Sequence, residues 1–293
     1  MTVEEINKLM VDQAYYADKS VAISVFLAIQ LQKPLLIEGP AGVGKTEIAK
    51  VLAKGLAIDL IRLQCYEGLD AHHAIYEWDY QRQLLQLKLM EGEKNSSQLE
   101  EEIFSEKFLM ERPLLQAIKK EKSAVLLIDE IDRADEEFES YLLELLSDWQ
   151  ITIPELGTIA AKSQPYVVLT GNRTRELSEA LRRRCLYLWI DYPSFDKELA
   201  ILRSKVPHID KRLGEEICVF MKHLRKLKLE KTPGVAETLD WAKALSAMHY
   251  DHLDKDIIAD TLGVVLKDWQ DIRSTTDSLS ELLEKTGVTS KIG

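Results

Sequence analysis

Between residues 34 and 192 short apolar runs alternate with stretches in which apolar positions return at helical spacing. Pro34 to Glu38 reads as a strand. Thr46 to Leu56 reads as a helix with Ile48, Val51, Leu52 and Leu56 on one face. Leu60 to Cys65 is a second strand. Ala124 to Ile128 is a continuous aliphatic run, the pattern of a strand buried on both faces. Phe138, Tyr141, Leu142, Leu145, Leu146 and Trp149 then fall on one helical stripe. Pro165 to Leu169 and Cys185 to Ile190 are two further strands. Strand and helix in alternation predict a parallel sheet with helices on its faces.

Beyond Asp191-Tyr192-Pro193 the pattern changes. Phe195 to Lys205, Lys211 to Lys228, Val235 to His249 and Asp254 to Asp271 read as helices, and no strand is legible. The division expected is an α/β core over 1–192 and a smaller helical domain over 193–293. Ile151-Thr152-Ile153 and Thr158-Ile159 flank a turn and predict a hairpin near 150–161. Glu91 to Glu106 is polar and charged and reads as an exposed loop or frayed helix end.

Composition narrows the function classes. With 46% hydrophobic and 30% charged residues, the chain of 293 residues has an ordinary globular make-up. A formal net charge of -11 argues against charge-driven binding of nucleic acid or anionic membrane. Cys65, Cys185 and Cys218 are far apart and show no CxxC pairing, so a reducing compartment fits better than a disulfide framework. The opening residues are acidic where a signal peptide is basic. The apolar stretch Val21 to Leu31 is too short to span a bilayer. The expectation is a cytoplasmic protein with no stable membrane insertion.

Gly39-Pro40-Ala41-Gly42-Val43-Gly44-Lys45-Thr46 fits the pattern of a phosphate-binding loop at every position, after a strand and before a helix. Glycines let the backbone curl so that its N–H groups converge on phosphate oxygens, and the following helix adds the positive end of its dipole. Lys45 supplies a point charge for the β- and γ-phosphates. Thr46 offers a hydroxyl to Mg²⁺, and Glu47, next on the helix, completes the candidate ATP-binding set. The plain alternative is a glycine turn that merely caps a helix.

Val125-Leu126-Leu127-Ile128-Asp129-Glu130 is an aliphatic strand ending in two carboxylates. Asp129 is the candidate Mg²⁺ holder, acting through the metal's water shell. Glu130 is the candidate general base for the attacking water. That second acid points to an ATPase rather than a small-molecule kinase.

Together these two motifs resemble those of the AAA+ ATPases. The resemblance implies a P-loop NTPase core of parallel sheet with a C-terminal all-helical lid, with ATP and Mg²⁺ as cofactors. It also implies a homo-oligomer, usually a hexameric ring. By the same resemblance Asn172, in Thr170-Gly171-Asn172, matches the sensor 1 residue that positions water or contacts the γ-phosphate. In Ala180 to Cys185, Arg184, with Arg183 second, matches the arginine finger that reaches the neighbouring subunit's ATP. Catalytic roles thus fall to Lys45, Glu130, Asn172 and Arg184.

The hairpin before the sensor 1 strand resembles the MoxR branch. Leu60 to Asp70, Ile75 to Trp78 and Asn172 to Leu177 resemble CoxD-like members. That likeness implies a chaperone-like role in maturing a client protein, namely metal–sulfur site assembly in a molybdenum hydroxylase such as carbon monoxide dehydrogenase. It also implies a partner with a von Willebrand A domain. The chain departs from the family at the sensor 2 position, where Thr232 to Thr238 has no arginine and Glu237 stands instead. Arg203 and Arg225 are the alternatives.

Other features attract blander readings. His72-His73 lacks further ligands at metal spacing. Tyr76 and Trp78 are candidates for client contact or for packing. Cys65 reads as a buried strand cysteine, and Trp241 and Trp269 as lid packing. An ATP-gated switch with slow turnover and a DNA-acting loader are the rival functions weighed.

Overall fold

A computed structural model describes residues 1–90 and 96–287, the side chains of 71, 72 and 96–98 aside. The chain forms two compact units. One comprises 1–13, 17–38 and 46–189. The other comprises 14–16, 39–45 and the region from 190 onward.

The first unit is built on a five-stranded sheet. In chain order its elements open with α1 (Val3–Asp12), α2 (Lys19–Leu31), β1 (Leu35–Glu38), α3 (Lys45–Leu56) and β2 (Leu60–Gln64). They continue with α4 (Ala71–Ala74), β3 (Tyr76–Trp78), α5 (Tyr80–Leu89), α6 (Ser96–Ile103) and β4 (Leu109–Glu111). Next come α7 (Pro113–Lys119), β5 (Val125–Asp129), α8 (Glu136–Asp148), β6 (Gln150–Ile153) and β7 (Gly157–Ala160). It closes with β8 (Tyr166–Gly171), α9 (Glu179–Arg184) and β9 (Leu186–Trp189). The sheet order is β2-β5-β8-β1-β9, every neighbouring pair parallel. All five residues of β5 are buried, as its aliphatic run requires. On the edge strand β2, burial alternates, with Leu60, Arg62 and Gln64 exposed and Ile61 and Leu63 buried. The sheet core continues through Leu126, Ile128, Leu142, Leu145, Val167 and Leu169.

The hairpin expected near 150–161 is β6 with β7, antiparallel, joined by a turn at 154–156. A separate two-stranded sheet pairs β3 with β4, antiparallel. Between them in sequence, 96–103 is helical rather than loop, while 91–95 lie outside the described residues.

The second unit carries α10 (Phe195–Lys205), α11 (Lys211–Leu224), α12 (Val235–Ala247), α13 (Lys255–Val265), α14 (Trp269–Asp277) and α15 (Leu279–Thr286). Its own core gathers Leu202, Leu213, Ile217, Phe220, Trp241 and Leu262. Asp254 to Asp271, expected as one helix, is two, because the Asp268 carboxylate caps a new helix by accepting from the N–H groups of Gln270 and Asp271. Trp269 stands at the first position of that helix, 67% exposed, with Arg273 over its ring, and so is not lid packing; Trp241 is fully buried. Among the described residues no helix is long and apolar enough to cross a membrane.

Candidate functional site

The loop at 39–45 follows β1 and runs straight into α3. Gly42 and Gly44 hold φ at +73° and +92°, a region that side-chain-bearing residues rarely enter, and this is how the backbone curls. Val43 is buried, while Ala41 and Gly42 are exposed. Lys45 is 7% exposed, and its Nζ donates to the carbonyls of Gly39 (2.8 Å) and Pro40 (2.5 Å). The ammonium is therefore folded within the loop's own curve. Glu47 faces outward from α3 and pairs with Lys50 at 3.2 Å. Within the same unit, the Val235 N–H donates to the Gly42 carbonyl at 2.9 Å, and the start of α12 rests against the loop.

Thr46 begins the other half of the arrangement. Its hydroxyl donates to Asp129 Oδ1 at 2.9 Å, joining positions 83 residues apart in sequence. Asp129 is 3% exposed at the end of β5. The same oxygen accepts from Thr170 Oγ1 at 2.5 Å, and Oδ2 accepts from Arg62 Nη2 at 2.5 Å. A buried carboxylate needs this many donors to offset lost hydration. Hydroxyl and carboxylate oxygens side by side are hard donors, few in number. That suits Mg²⁺, which keeps most of its water shell.

Glu130 follows with φ at +55°, the left-handed region, which costs a non-glycine residue about 1–2 kcal/mol. Its N–H donates to Thr170 Oγ1 at 3.1 Å, which secures that turn. The turn separates the two acids. Asp129 points into the sheet end, while Glu130 Oε2 accepts from Gln64 Nε2 at 3.1 Å and pairs with Arg133 Nε at 3.2 Å. Asn172 lies just past β8, and its N–H donates to Asp132 Oδ2 at 3.1 Å. The Thr174 N–H and hydroxyl donate to the same oxygen at 2.8 and 2.7 Å. Burial would raise the Asp132 carboxyl, but these hydrogen bonds outweigh it and hold the group below its ordinary value.

Arg184 is turned onto its own chain, with Nε donating to Ser147 Oγ at 2.5 Å and Nη1 to the Ala180 carbonyl at 3.0 Å. Arg183 is more exposed and pairs with exposed Glu179 one helical turn away. Glu237 serves α12 as a cap, its carboxylate accepting from the Gly234 N–H at 2.8 Å. Arg225, one alternative for the sensor 2 role, is buried. It donates to both oxygens of Glu198 at 2.6 and 2.7 Å and to the carbonyls of Pro233 and Gly234. Arg203 pairs with Glu215 at 2.9 Å on the surface.

The remaining candidates resolve into packing. Tyr76 and Trp78 are 7% and 5% exposed and meet edge to face, with Phe104 against Trp78, so neither presents a ring to a client. His73 binds Asp70, and the His72 side chain lies outside the described residues. Among the described residues no group of three or more His, Cys, Asp or Glu is arranged to hold a metal. Burial pushes the Cys65 thiol up to about 12, with Asp129 adding to the shift, which keeps the group protonated and inert.

Sequence reasoning named the loop, Asp129, Glu130 and Asn172. It missed Arg62, Gln64, Thr170 and Asp132. The alternation on β2 puts Arg62 and Gln64 on one face, and that is the signal by which they could have been found.

Comparison with known proteins adds the following. An uncharacterized protein of Staphylococcus haemolyticus is 24% identical over 263 residues, covering 86% of this chain and 92% of its own length. One from Staphylococcus epidermidis is 26% identical over 218 residues, covering 72% and 75%. Two mutants of Thermotoga maritima RuvB share the fold at TM-scores of 0.51 and 0.50. They are 19% and 17% identical and cover 92% and 99% of this chain and 81% and 84% of theirs. Residues 34–185, just over half the chain, match the family described as AAA domain (dynein-related subfamily), and the protein belongs to that family.

Proposed function

We propose that this protein hydrolyses ATP with Mg²⁺ and uses the cycle to remodel a client protein. The observation that carries the reading is the Thr46–Asp129 hydrogen bond. It sets a metal-binding hydroxyl, next in the chain to Lys45, against a buried carboxylate at a strand end. Backbone amides of 39–46 and the Lys45 ammonium hold the phosphates. Thr46 and Asp129 would hold the magnesium, which would supply positive charge against the phosphate oxygens. Glu130, turned away from Asp129 by its left-handed backbone, accepts the proton of the attacking water. Asn172, fixed through Asp132, orients that water. An arginine from α9 of a neighbouring subunit, Arg184 or Arg183, offsets charge on the transferring phosphoryl group. Arg184 must give up two bonds to its own chain to do so, Arg183 only a surface pair.

The finer reading is a MoxR-type ATPase of CoxD-like character. It would act in a hexameric ring on a molybdenum hydroxylase, with a von Willebrand A domain partner. The β6–β7 hairpin before β8 supports the branch; the client and partner rest on likeness of sequence alone. The second reading, a nucleotide-gated switch that turns over slowly, is favoured by one observation. The lid position expected to carry an arginine carries Glu237, and Arg225 is committed to Glu198.

Steady-state phosphate release separates the two readings. For the ATPase, wild type turns over only with Mg²⁺, and Glu130→Gln loses about 100-fold or more while still binding MgATP. Equal, near-zero rates in both would leave the switch. Absence of any magnesium-dependent ATP affinity in folded protein would sink both. The Glu130→Gln variant purified with ATP is the bait that identifies the client.

A further inference from the structure

On the exposed face of β2, Arg62 and Gln64 sit two residues apart, and the register puts Gln64 directly beside Asp129. Arg62 reaches forward along that face. Its Nη2 donates to Asp129 Oδ2 and to Gln64 Oε1, both at 2.5 Å. The pair is lopsided, for the Arg62 side chain is 50% exposed while that of Asp129 is 5% exposed. A guanidinium able to swing into solvent therefore caps a carboxylate that cannot move. Asp129 has its other oxygen taken by the hydroxyls of Thr46 and Thr170, so Oδ2 is the side on which its charge is answered by a cation.

We infer that Arg62 is a counter-charge that weakens magnesium binding at Thr46 and Asp129, so that the metal enters with the nucleotide phosphates rather than ahead of them. The inference rests on the nucleotide site proposed above. A unit positive charge on the carboxylate that must attract a divalent cation opposes it, whether Arg62 stays or swings aside. The negative charge of a triphosphate on 39–46 restores the balance, and neither component then holds well without the other.

The test is calorimetric titration of ADP into the full chain over a series of Mg²⁺ concentrations, which yields the magnesium midpoint of the ADP complex by linkage. Arg62→Gln is expected to lower that midpoint about tenfold, the size of effect a unit and a divalent charge have on each other at a solvated site. Arg62→Lys keeps the charge and should stay near wild type. As a readout independent of nucleotide, MgCl₂ alone should raise the melting temperature of Arg62→Gln measured against EDTA and leave wild type unmoved. Arg62→Met, which keeps the apolar stem, replaces the glutamine variant if that one does not fold. An unchanged or higher midpoint in the charge-free variant, with ADP still bound, overturns the role of Arg62 alone. If wild type binds no ADP at any magnesium concentration, the nucleotide reading falls and this inference with it.

Discussion

Asp132 belongs to no part of the phosphate loop or the strand-end acid pair, yet it fixes where the segment after β8 lies. One of its oxygens accepts the N–H groups of Asn172 and Thr174 together with the Thr174 hydroxyl, and the side chain is buried. Replacing it with Asn removes the charge from those bonds and puts an amide where an acceptor is needed. Asp132→Asn should cost about 1–3 kcal/mol of stability and reduce phosphate release while leaving ADP affinity near wild type. The pH dependence has a defined sign. The folded carboxyl lies below its ordinary value of 3.8, so as the pH falls the unfolded chain takes up the proton first. The stabilisation is complete above that value and fades as the pH drops below it. Melting curves by circular dichroism across the acid range should therefore show wild type and variant converging toward low pH. A gap that holds constant with pH would mean the ionised form is not what the hydrogen bonds stabilise.

At the scale of elements, the start of α12 is the part of the helical unit that shapes the phosphate loop. The Val235 N–H holds the Gly42 carbonyl, and Glu237 fixes the turn by accepting from Gly234. A Cβ on Gly234 would come within 2.7 Å of both Gly42 Cα and the Ala41 carbonyl oxygen, a close approach that only glycine allows. Gly234→Ala should therefore distort the loop. It should weaken ADP binding by about tenfold and cost about 1–3 kcal/mol of stability. Gly263→Ala, in α13 where an added Cβ meets nothing within 4 Å, is the control and should stabilise by up to about 1 kcal/mol. Equal ADP affinity in both variants would show that the loop does not depend on α12. The three inner sheet strands were legible in sequence because burial on both faces forces apolar runs such as Val125 to Ile128, and the edge strands β2 and β9 because they alternate at a period of two. The β6–β7 hairpin was legible because its turn is local. The β3–β4 pairing was not, since its strands are three residues each and lie some thirty residues apart, with no turn to announce it. The break between α13 and α14 was also hidden, because Asp268 as a cap looks the same in sequence as an aspartate on a solvated helix face. At the site, the loop and Asp129 are contiguous motifs and could be read directly. Arg62 and Thr170 come from β2 and β8 and are brought beside Asp129 only by sheet register, while Asp132, in the turn just after β5, meets partners at 172 and 174 that lie some forty residues on.

At the scale of the whole molecule, the open matter is whether one chain holds a complete site. Asp129, Glu130 and the loop belong to a single chain, whereas the arginines of α9 are engaged within that chain by Ser147, Ala180 and Glu179. If one of them serves a neighbour, catalysis is a property of the assembly and must show complementation. Arg184→Ala alone should lose about 10-fold or more in phosphate release, with ADP affinity kept. Arg183→Ala gives the same result if that residue is the finger. Glu130→Gln is expected to be inactive for a different reason, since it would lack the proposed base but retain its arginines. Mixing the finger variant with Glu130→Gln in equal amounts creates interfaces where a subunit with an intact base meets a neighbour with an intact arginine. In a randomly mixed closed ring about one interface in four is of this kind, so activity should return to roughly a quarter of the wild-type level. The recovered activity should then depend on total protein concentration, because dilution would dissociate such an assembly and remove the neighbour. A finger acting within its own chain gives no recovery at any mixing ratio, since neither variant then carries both groups. The arginine whose loss is rescued in the mixture is the one that crosses the interface, which distinguishes Arg184 from Arg183 without a structure of the assembly.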